Sequence, residues 1–197
     1  MDGLHGILRR VPIWLVYVAG MAPAVWLFFQ ALQGSLGVDP VKALEHRYGE
    51  LALQLFVATL AISPLRRLAG LNLLRFRRSI GLLSFFYVAC HLLVWLVLDV
   101  QLVGQILGDI AKRPYITIGM VALVLMLPLA LTSNNRSVRR LGPKWRQLHR
   151  LTYPAGVLGA IHYVMVAKGF QVEPLVYLAV IVTLLVLRTG SWRLRFA

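Results

Sequence analysis

The chain has 197 residues, of which 59% are hydrophobic and 14% are charged, and its formal net charge is +14. Soluble domains usually carry about 25% charged residues, so this composition excludes an ordinary soluble domain. A basic excess can indicate nucleic-acid binding, but here Lys and Arg lie in short connections between apolar runs, which indicates membrane topology. Because Cys90 is the single cysteine, neither an internal disulfide nor covalent c-type haem attachment is expected.

Six apolar runs follow one another, and a helix of roughly 20 apolar residues crosses about 30 Å of hydrocarbon. Lipid offers no partner to unpaired backbone groups, and the runs lack the alternation of barrel strands, so all should be helices. The spans are predicted at residues 11–32, 48–65, 80–100, 115–132, 149–167 and 175–190. The first run is longer than a signal-peptide core and is interpreted as a retained span. No internal repeat is evident, and residues 1–197 are predicted to form one all-α six-transmembrane helical bundle.

Basic residues concentrate in alternate connections between the predicted spans. Most of the 21 Lys and Arg residues lie before span one, between spans two and three, between spans four and five, or near the end of span six. Most acidic residues lie on the opposite side. Because basic connections stay in the cytoplasm, both termini are predicted to be cytoplasmic, in a multi-pass protein of a bacterial inner membrane. The predicted cytoplasmic basic residues are Arg9, Arg10, Arg66, Arg67, Arg75, Arg77, Arg78, Arg136, Arg139, Arg140, Lys144, Arg146, Arg150, Arg188, Arg193 and Arg195.

Two of the five histidines, His91 and His162, fall inside spans three and five. Ionisable side chains in hydrocarbon are costly and usually mark functional sites. At a rise of about 1.5 Å per residue, each lies roughly 18–20 Å from the cytoplasmic boundary. Two imidazoles at equal depth on different helices can coordinate one metal centre from opposite sides. His5 and His46 lie in the tail and in an outer connection, where they are expected to be solvated.

Haem fits this pair better than zinc, because zinc requires four ligands and haem needs only one or two axial ligands. Small residues near the histidines leave room for a flat macrocycle, although such residues also let helices pack closely. A proton relay and an interhelical hydrogen bond remain alternatives for the two histidines. The small residues are Ser84 near His91, and Gly156, Gly159 and Ala160 near His162.

His149 lies at the cytoplasmic mouth of span five, within the segment Trp145–Arg150. It is a candidate ligand for a second, inner haem. However, the opposing position on span three is Arg78, which cannot ligate iron, and His149 lies about 140° from His162 around an ideal helix. A hydrogen bond from His149 to a haem propionate, a flavin or a quinone is an equal alternative.

Two segments carry a family resemblance: Arg77–Leu83, which leads to His91, and Leu131–Tyr153, which contains His149. Over essentially its whole length the chain resembles the ferric reductase-like transmembrane superfamily and, within it, the haem-binding membrane subunits of periplasmic methionine sulfoxide reductase systems. The resemblance carries the family's haem histidines to His91, His149 and His162. It implies one b-type haem with His91 and His162 as axial iron ligands, a second haem left open, and FMN at a site that the sequence does not locate.

The resemblance also implies a role in electron transfer. Electrons would come from the quinone pool or a cytosolic flavin reductase, and would reach a periplasmic molybdopterin-containing subunit that reduces methionine sulfoxide in oxidised proteins. The chain has no Gly-x-Gly-x-x-Gly motif after a strand and no nucleophile–base constellation, so no stand-alone substrate site is expected. The alternatives are a cytochrome b anchor for another periplasmic oxidoreductase and a proton-coupled transporter with a histidine relay.

Overall fold

A computed structural model describes residues 10–167 and 171–189. His5, Arg9, Lys168, Arg193 and Arg195 lie outside the described residues. The described part of the chain is helical and contains no strand. Its α-helices are α1 (Ile13–Leu32), α2 (Pro40–Leu68), α3 (Arg77–Leu93), α4 (Val103–Lys112), α5 (Pro114–Leu131), α6 (Asn135–Leu141), α7 (Pro143–Leu148), α8 (Thr152–Val166) and α9 (Val172–Thr189). A 3-10 turn at Leu74–Phe76 precedes α3, a π-helical stretch at Val94–Val100 continues it, and a 3-10 turn at His149–Leu151 precedes α8.

Within the described residues, four helical stretches are long and apolar enough to cross a membrane: α1, α2, Leu74–Val100 and α5. They correspond to the first four predicted spans, so the prediction of an all-α, multi-pass membrane protein is confirmed. The last two predicted spans correspond to α8, which has 15 residues, and α9, which has 18. The count of six spans and the cytoplasmic position of both termini stay predictions.

Helix α2 begins at Pro40, well before the predicted span at residue 48. The side chain of Asp39 accepts a hydrogen bond from the Lys42 N–H at 3.1 Å, which caps the helix, and proline suits its first turn. Arg47 and Glu50 form an ion pair at 3.3 Å one turn apart. Charged residues can therefore extend this helix beyond its apolar run, and hydropathy alone misses that extension.

The predicted connection at residues 101–114 contains α4, a helix too short to be predicted as a span. The Thr117 hydroxyl donates to the Ile110 carbonyl at 2.5 Å, which ties α4 to the start of α5. Arg113 pairs with Asp109 at 3.1 Å near the end of α4. This segment is therefore an ordered helical connection.

The chain divides into two compact units, residues 1–102 and 103–197. In the first unit α1, α2 and α3 pack on one another, and hydroxyl groups join them. Tyr48 donates to the Ala24 carbonyl at 2.7 Å and Tyr87 donates to the Gly20 carbonyl at 2.7 Å. Each bond satisfies a largely buried hydroxyl that would otherwise be costly in an apolar environment. Both tyrosines therefore fasten α1 to the other two helices.

In the second unit α8 packs against α5 and α9, and the 3-10 turn at His149–Leu151 also contacts α5. The rings of Tyr163 and Tyr177 meet at a centroid distance of 5.9 Å, which joins α8 to α9. The antiparallel pair of α5 and α8 provides the framework that holds His162. The predicted single domain stays a prediction.

Large apolar side chains cover the outside of α1. Trp14 is 64% exposed and Trp26 is 65% exposed, whereas Ala24 is buried. In water such a surface would be unfavourable, but a lipid-facing helix needs no polar cover. The exposed side chains therefore agree with a membrane environment for this helix.

Candidate functional site

His91 lies near the C-terminal end of α3, where its half-buried ring faces α2. Its Nδ1 lies 2.9 Å from the carbonyl oxygen of Glu45. Gly49 lies one turn after Glu45, and a Cβ added to it would lie 3.2 Å from the same nitrogen. The ring therefore packs directly on the backbone of α2.

His162 lies in α8, where its half-buried ring faces the first turns of α5. Its Nδ1 lies 2.7 Å from the carbonyl oxygen of Tyr115. A Cβ added to Gly119, one turn later, would lie 2.8 Å from that nitrogen. The environment of His162 in the second unit thus repeats the environment of His91 in the first.

The two hydrogen bonds fix the tautomer of each histidine. A carbonyl oxygen can only accept a hydrogen bond, so Nδ1 of His91 and Nδ1 of His162 must each carry a proton. The neutral ring then presents its lone pair at Nε2. Histidines that ligate metals usually donate their other ring N–H to a carbonyl or a carboxylate, which orients the ring and raises its basicity. Both rings therefore have the tautomer of a metal ligand.

The acceptors also bear on the predicted depth of the two histidines. Glu45 precedes the predicted start of span two, and Tyr115 is the first residue of predicted span four. Each histidine thus lies at the predicted outer end of the helix that it packs against. The depth of the two histidines in the membrane stays a prediction.

The small residues predicted near the histidines are largely buried in helix contacts. Ser84 is fully buried, and its hydroxyl donates to the Ala52 carbonyl at 2.8 Å, so it joins α3 to α2. Ala160 and Gly156 are buried in α8. A Cβ added to Gly159 would meet no protein atom within 4 Å. Close helix packing accounts for Ser84, whereas the position of Gly159 leaves space beside α8.

His149 has different surroundings from the other two histidines. Its Nε2 lies 3.0 Å from the Thr132 hydroxyl oxygen, and the Thr132 hydroxyl donates to the Pro128 carbonyl at 2.6 Å. Because that hydroxyl has one hydrogen, His149 Nε2–H must be the donor to Thr132. The neutral ring of His149 therefore has the opposite tautomer, with its lone pair at Nδ1.

Trp145 completes the surroundings of His149. The two rings stack at a centroid distance of 3.8 Å with an interplanar angle of 26°, and Trp145 Nε1–H donates to the Thr132 carbonyl at 2.9 Å. Thr132, Trp145 and His149 thus form a connected group, which we call the Thr132 cluster. It fastens the connection between predicted spans four and five to the end of α5.

Among the described residues, no group of three or more His, Cys, Asp and Glu side chains could hold a metal ion by itself. His46 is exposed, as predicted, and Cys90 is a free, half-buried cysteine. His91 and His162 are single imidazoles, each oriented by a backbone carbonyl. Such a donor set suits a metal whose other ligands come with a cofactor.

The sequence singled out the histidines but not the residues that orient them. Glu45 and Tyr115 act through backbone carbonyls, which have no residue signature. Gly49 and Gly119 could have indicated these contacts, since glycine in an apolar helix often marks the close approach of another group. Thr132 was missed because a single threonine at a span end is unremarkable.

Residues 48–160 match the family model described as ferric reductase like transmembrane component. The chain belongs to the ferric reductase-like transmembrane family. The matched residues include His91, His149 and both glycines that face the buried histidines, and they end shortly before His162. The family resemblance predicted from the sequence is thereby confirmed.

Within this family the chain is similar to proteins named protein-methionine-sulfoxide reductase heme-binding subunit MsrQ. It is 48% identical to the protein of Brucella anthropi over 183 residues, which covers 92% of this chain and 81% of the relative. It is 47% identical to the proteins of Brucella ovis and Brucella suis over 184 residues, which covers 93% of this chain and 84% of each relative. No solved structure matches the chain.

Proposed function

We propose that this chain is a haem-binding membrane subunit that transfers electrons to a methionine sulfoxide reductase partner. Relatives at 47–48% identity are named heme-binding subunits of protein-methionine-sulfoxide reductase. The observation that carries the proposal is the shared orientation of His91 and His162, each with Nδ1–H on a backbone carbonyl. That orientation is what an axial ligand of haem iron needs.

The donor set fits a haem. Iron in a haem takes four nitrogens from the porphyrin and requires only one or two axial ligands from the protein. His91 and His162 would supply those ligands through Nε2. Only a neutral imidazole can bind iron in this way, because a protonated Nε2 has no lone pair.

The haem would supply reversible one-electron chemistry between its ferric and ferrous states. The protein's part is to hold the two imidazoles, to exclude water and to set the potential through the ligands and their hydrogen bonds. Glu45 and Tyr115 hold the rings through their carbonyls. The chain itself would act as an electron conduit with no substrate site of its own.

The partner that we propose is a periplasmic molybdopterin-containing subunit that reduces methionine sulfoxide in oxidised proteins. The donor would be the quinone pool or a cytosolic flavin reductase, and FMN would be a second cofactor at a site still to be located. Support for the sulfoxide reductase partner comes from the names of the relatives. Support for a separate donor comes from the sequence, which has no dinucleotide-binding motif.

The proposed topology has six spans in one domain, both termini in the cytoplasm and the bacterial inner membrane as its location. The four long apolar helices support a multi-pass arrangement. The asymmetric distribution of Lys and Arg supports the orientation. In this topology His91 and His162 lie in the periplasmic half of the bilayer, on the side of the proposed acceptor.

For His149 the haem role stays a prediction, including the second haem that it would imply. Its Nε2–H donates to Thr132, so ligation of iron through that nitrogen would require loss of this hydrogen bond. The alternative role, a hydrogen bond to a propionate, flavin or quinone, uses the ring without iron.

Optical spectroscopy of the purified protein tests the proposal. We expect the native chain to show a Soret band and reduced-haem bands, and His91→Ala and His162→Ala each to lose most of the bound haem. The matched control is His46→Ala, at an exposed histidine one residue from Glu45, which should retain full haem content.

Haem content that is unchanged in both buried-histidine variants would refute the ligand assignment. A native protein with no Soret band would refute haem binding itself and would favour the proton-coupled transporter. Co-purification with a different periplasmic oxidoreductase would leave haem binding intact and replace the proposed partner. The chain would then be a cytochrome b anchor for that oxidoreductase.

A further inference from the structure

Among the described residues, the same three-part arrangement occurs in each unit. A histidine donates Nδ1–H to the carbonyl of a helix residue, and a glycine follows that residue four positions later. In the first unit the set is Glu45, Gly49 and His91, and in the second it is Tyr115, Gly119 and His162. Acceptor and histidine are separated by 46 residues in one case and 47 in the other. The separation is nearly equal although the local sequences differ.

Helix geometry explains why glycine occupies the fourth position. Inside an α-helix the carbonyl of residue i already accepts the N–H of residue i+4. The Cα–Cβ bond of residue i+4 tilts toward the helix N-terminus, and therefore toward that carbonyl. A side chain there obstructs a second donor, whereas glycine leaves the carbonyl open to one.

The distances from an added Cβ to the histidine ring show how little room there is for a side chain at each glycine. A Cβ added to Gly119 would lie 2.8 Å from His162 Nδ1 and 3.0 Å from its Cε1. A Cβ added to Gly49 would lie 3.2 Å from His91 Nδ1 and 3.4 Å from its Cε1. Carbon atoms in contact prefer a separation of about 3.5–4.0 Å. A side chain at position 119 would therefore force the His162 ring to move, and one at position 49 would displace the His91 ring slightly.

We propose that Gly49 and Gly119 are positioning residues, which hold His91 and His162 against helix carbonyls and so set the potential of the haem. This inference rests on the proposed function. When the ring N–H donates a hydrogen bond to a carbonyl, Nε2 becomes a more basic ligand for iron. A more basic ligand stabilises the ferric state. Without the glycines the hydrogen bonds lengthen and the ferric state loses that stabilisation.

The test is a redox titration of the purified haem protein, with the ferric electron paramagnetic resonance spectrum as a second readout. We expect Gly119→Ala to raise the midpoint potential and to shift the ferric spectrum. Gly49→Ala should change both in the same direction by a smaller amount, because its contact is looser. If Gly119→Ala does not accumulate, Gly49→Ala provides the test.

Two glycines away from the histidines provide matched controls. A Cβ added to Gly81, in α3, would make an ordinary 3.6 Å contact with Thr59 of α2, and one added to Gly108, in α4, would meet no atom within 4 Å. Gly81→Ala and Gly108→Ala should keep the native potential and spectrum. A change that is as large in these controls as in Gly49→Ala would show a general helix effect and overturn the assignment.

Failure of this inference is distinguishable from failure of the proposed function. Native haem content with an unaltered potential and spectrum in Gly49→Ala and Gly119→Ala overturns the positioning role and leaves the conduit in place. A native chain without haem overturns the conduit, on which the positioning role depends.

Discussion

The imidazole of His149 donates through Nε2 to the hydroxyl oxygen of Thr132 at 3.0 Å, so the turn before α8 is fastened to the end of α5. The same threonine accepts the Trp145 indole N–H through its carbonyl at 2.9 Å. One residue thus satisfies two aromatic donors. The Thr132 cluster gives His149 a structural role that is independent of any cofactor.

Replacement of Thr132 by valine tests that role. Thr132→Val preserves the shape of the side chain and leaves the His149 N–H without its acceptor, which typically costs about 1–3 kcal/mol. We expect a lower thermal midpoint with unchanged haem content per protein. The control is Thr183→Val in α9, whose exposed hydroxyl makes a comparable bond to the Ala179 carbonyl at 2.8 Å. A loss of haem in Thr132→Val at native stability would instead favour a cofactor role for His149.

The hydroxyl of Tyr48 offers a second test, of the packing of α1. Tyr48→Phe removes the 2.7 Å hydrogen bond to the Ala24 carbonyl and leaves the ring in place. Hydrogen bonds between membrane helices average about 0.6 kcal/mol, so we expect a destabilisation of roughly 0.5–1.5 kcal/mol. Equilibrium unfolding in detergent measures it. Tyr17→Phe, at a half-buried tyrosine of α1, should have a smaller effect, and equal effects would rule out a special contribution from Tyr48.

Removal of haem should lower the stability of the protein. A ligand that binds only the folded state stabilises it by about 2.7 kcal/mol when its concentration is 100 times its Kd. Protein produced under haem limitation should therefore unfold at a lower temperature, and added haemin should restore the native midpoint. His162→Ala should show little recovery with haemin. Full recovery in that variant would mean that binding does not depend on His162.

Reporter fusions test the proposed topology. A fluorescent protein fused after residue 197 should fluoresce, because that end is predicted to be cytoplasmic. Alkaline phosphatase inserted within residues 101–114 should be active, because that connection is predicted to be periplasmic. Active phosphatase at the C-terminus would reverse the orientation, and activity of both reporter types at one position would contradict a single orientation of the chain.

Hydropathy located the long helices because their sequence requirement is simple. A run of apolar residues must be helical in lipid, and α1 and α5 begin and end within a few residues of the predicted spans 11–32 and 115–132. The start of α2 was predicted too late because Asp39 and Pro40 begin a helix by capping, which does not depend on apolar character. Helix α4 was missed for a related reason, since its ten residues cannot cross a bilayer.

The buried histidines could be singled out because an imidazole in an apolar run is rare and costly. Their acceptors were not, because any residue of α2 or α5 has the same carbonyl and only the packing selects Glu45 or Tyr115. The resemblance between the units was hidden for the same reason. In each three-part arrangement only the glycine and the histidine are required by residue type, and two residues do not make a detectable repeat.

Glu45 and Gly49, which orient His91, both lie before Val103, in the half of the chain that is synthesised first. The first imidazole can therefore be oriented before the second half of the chain is made. The second half orients its own imidazole in the same way, through the carbonyl of Tyr115 beside Gly119.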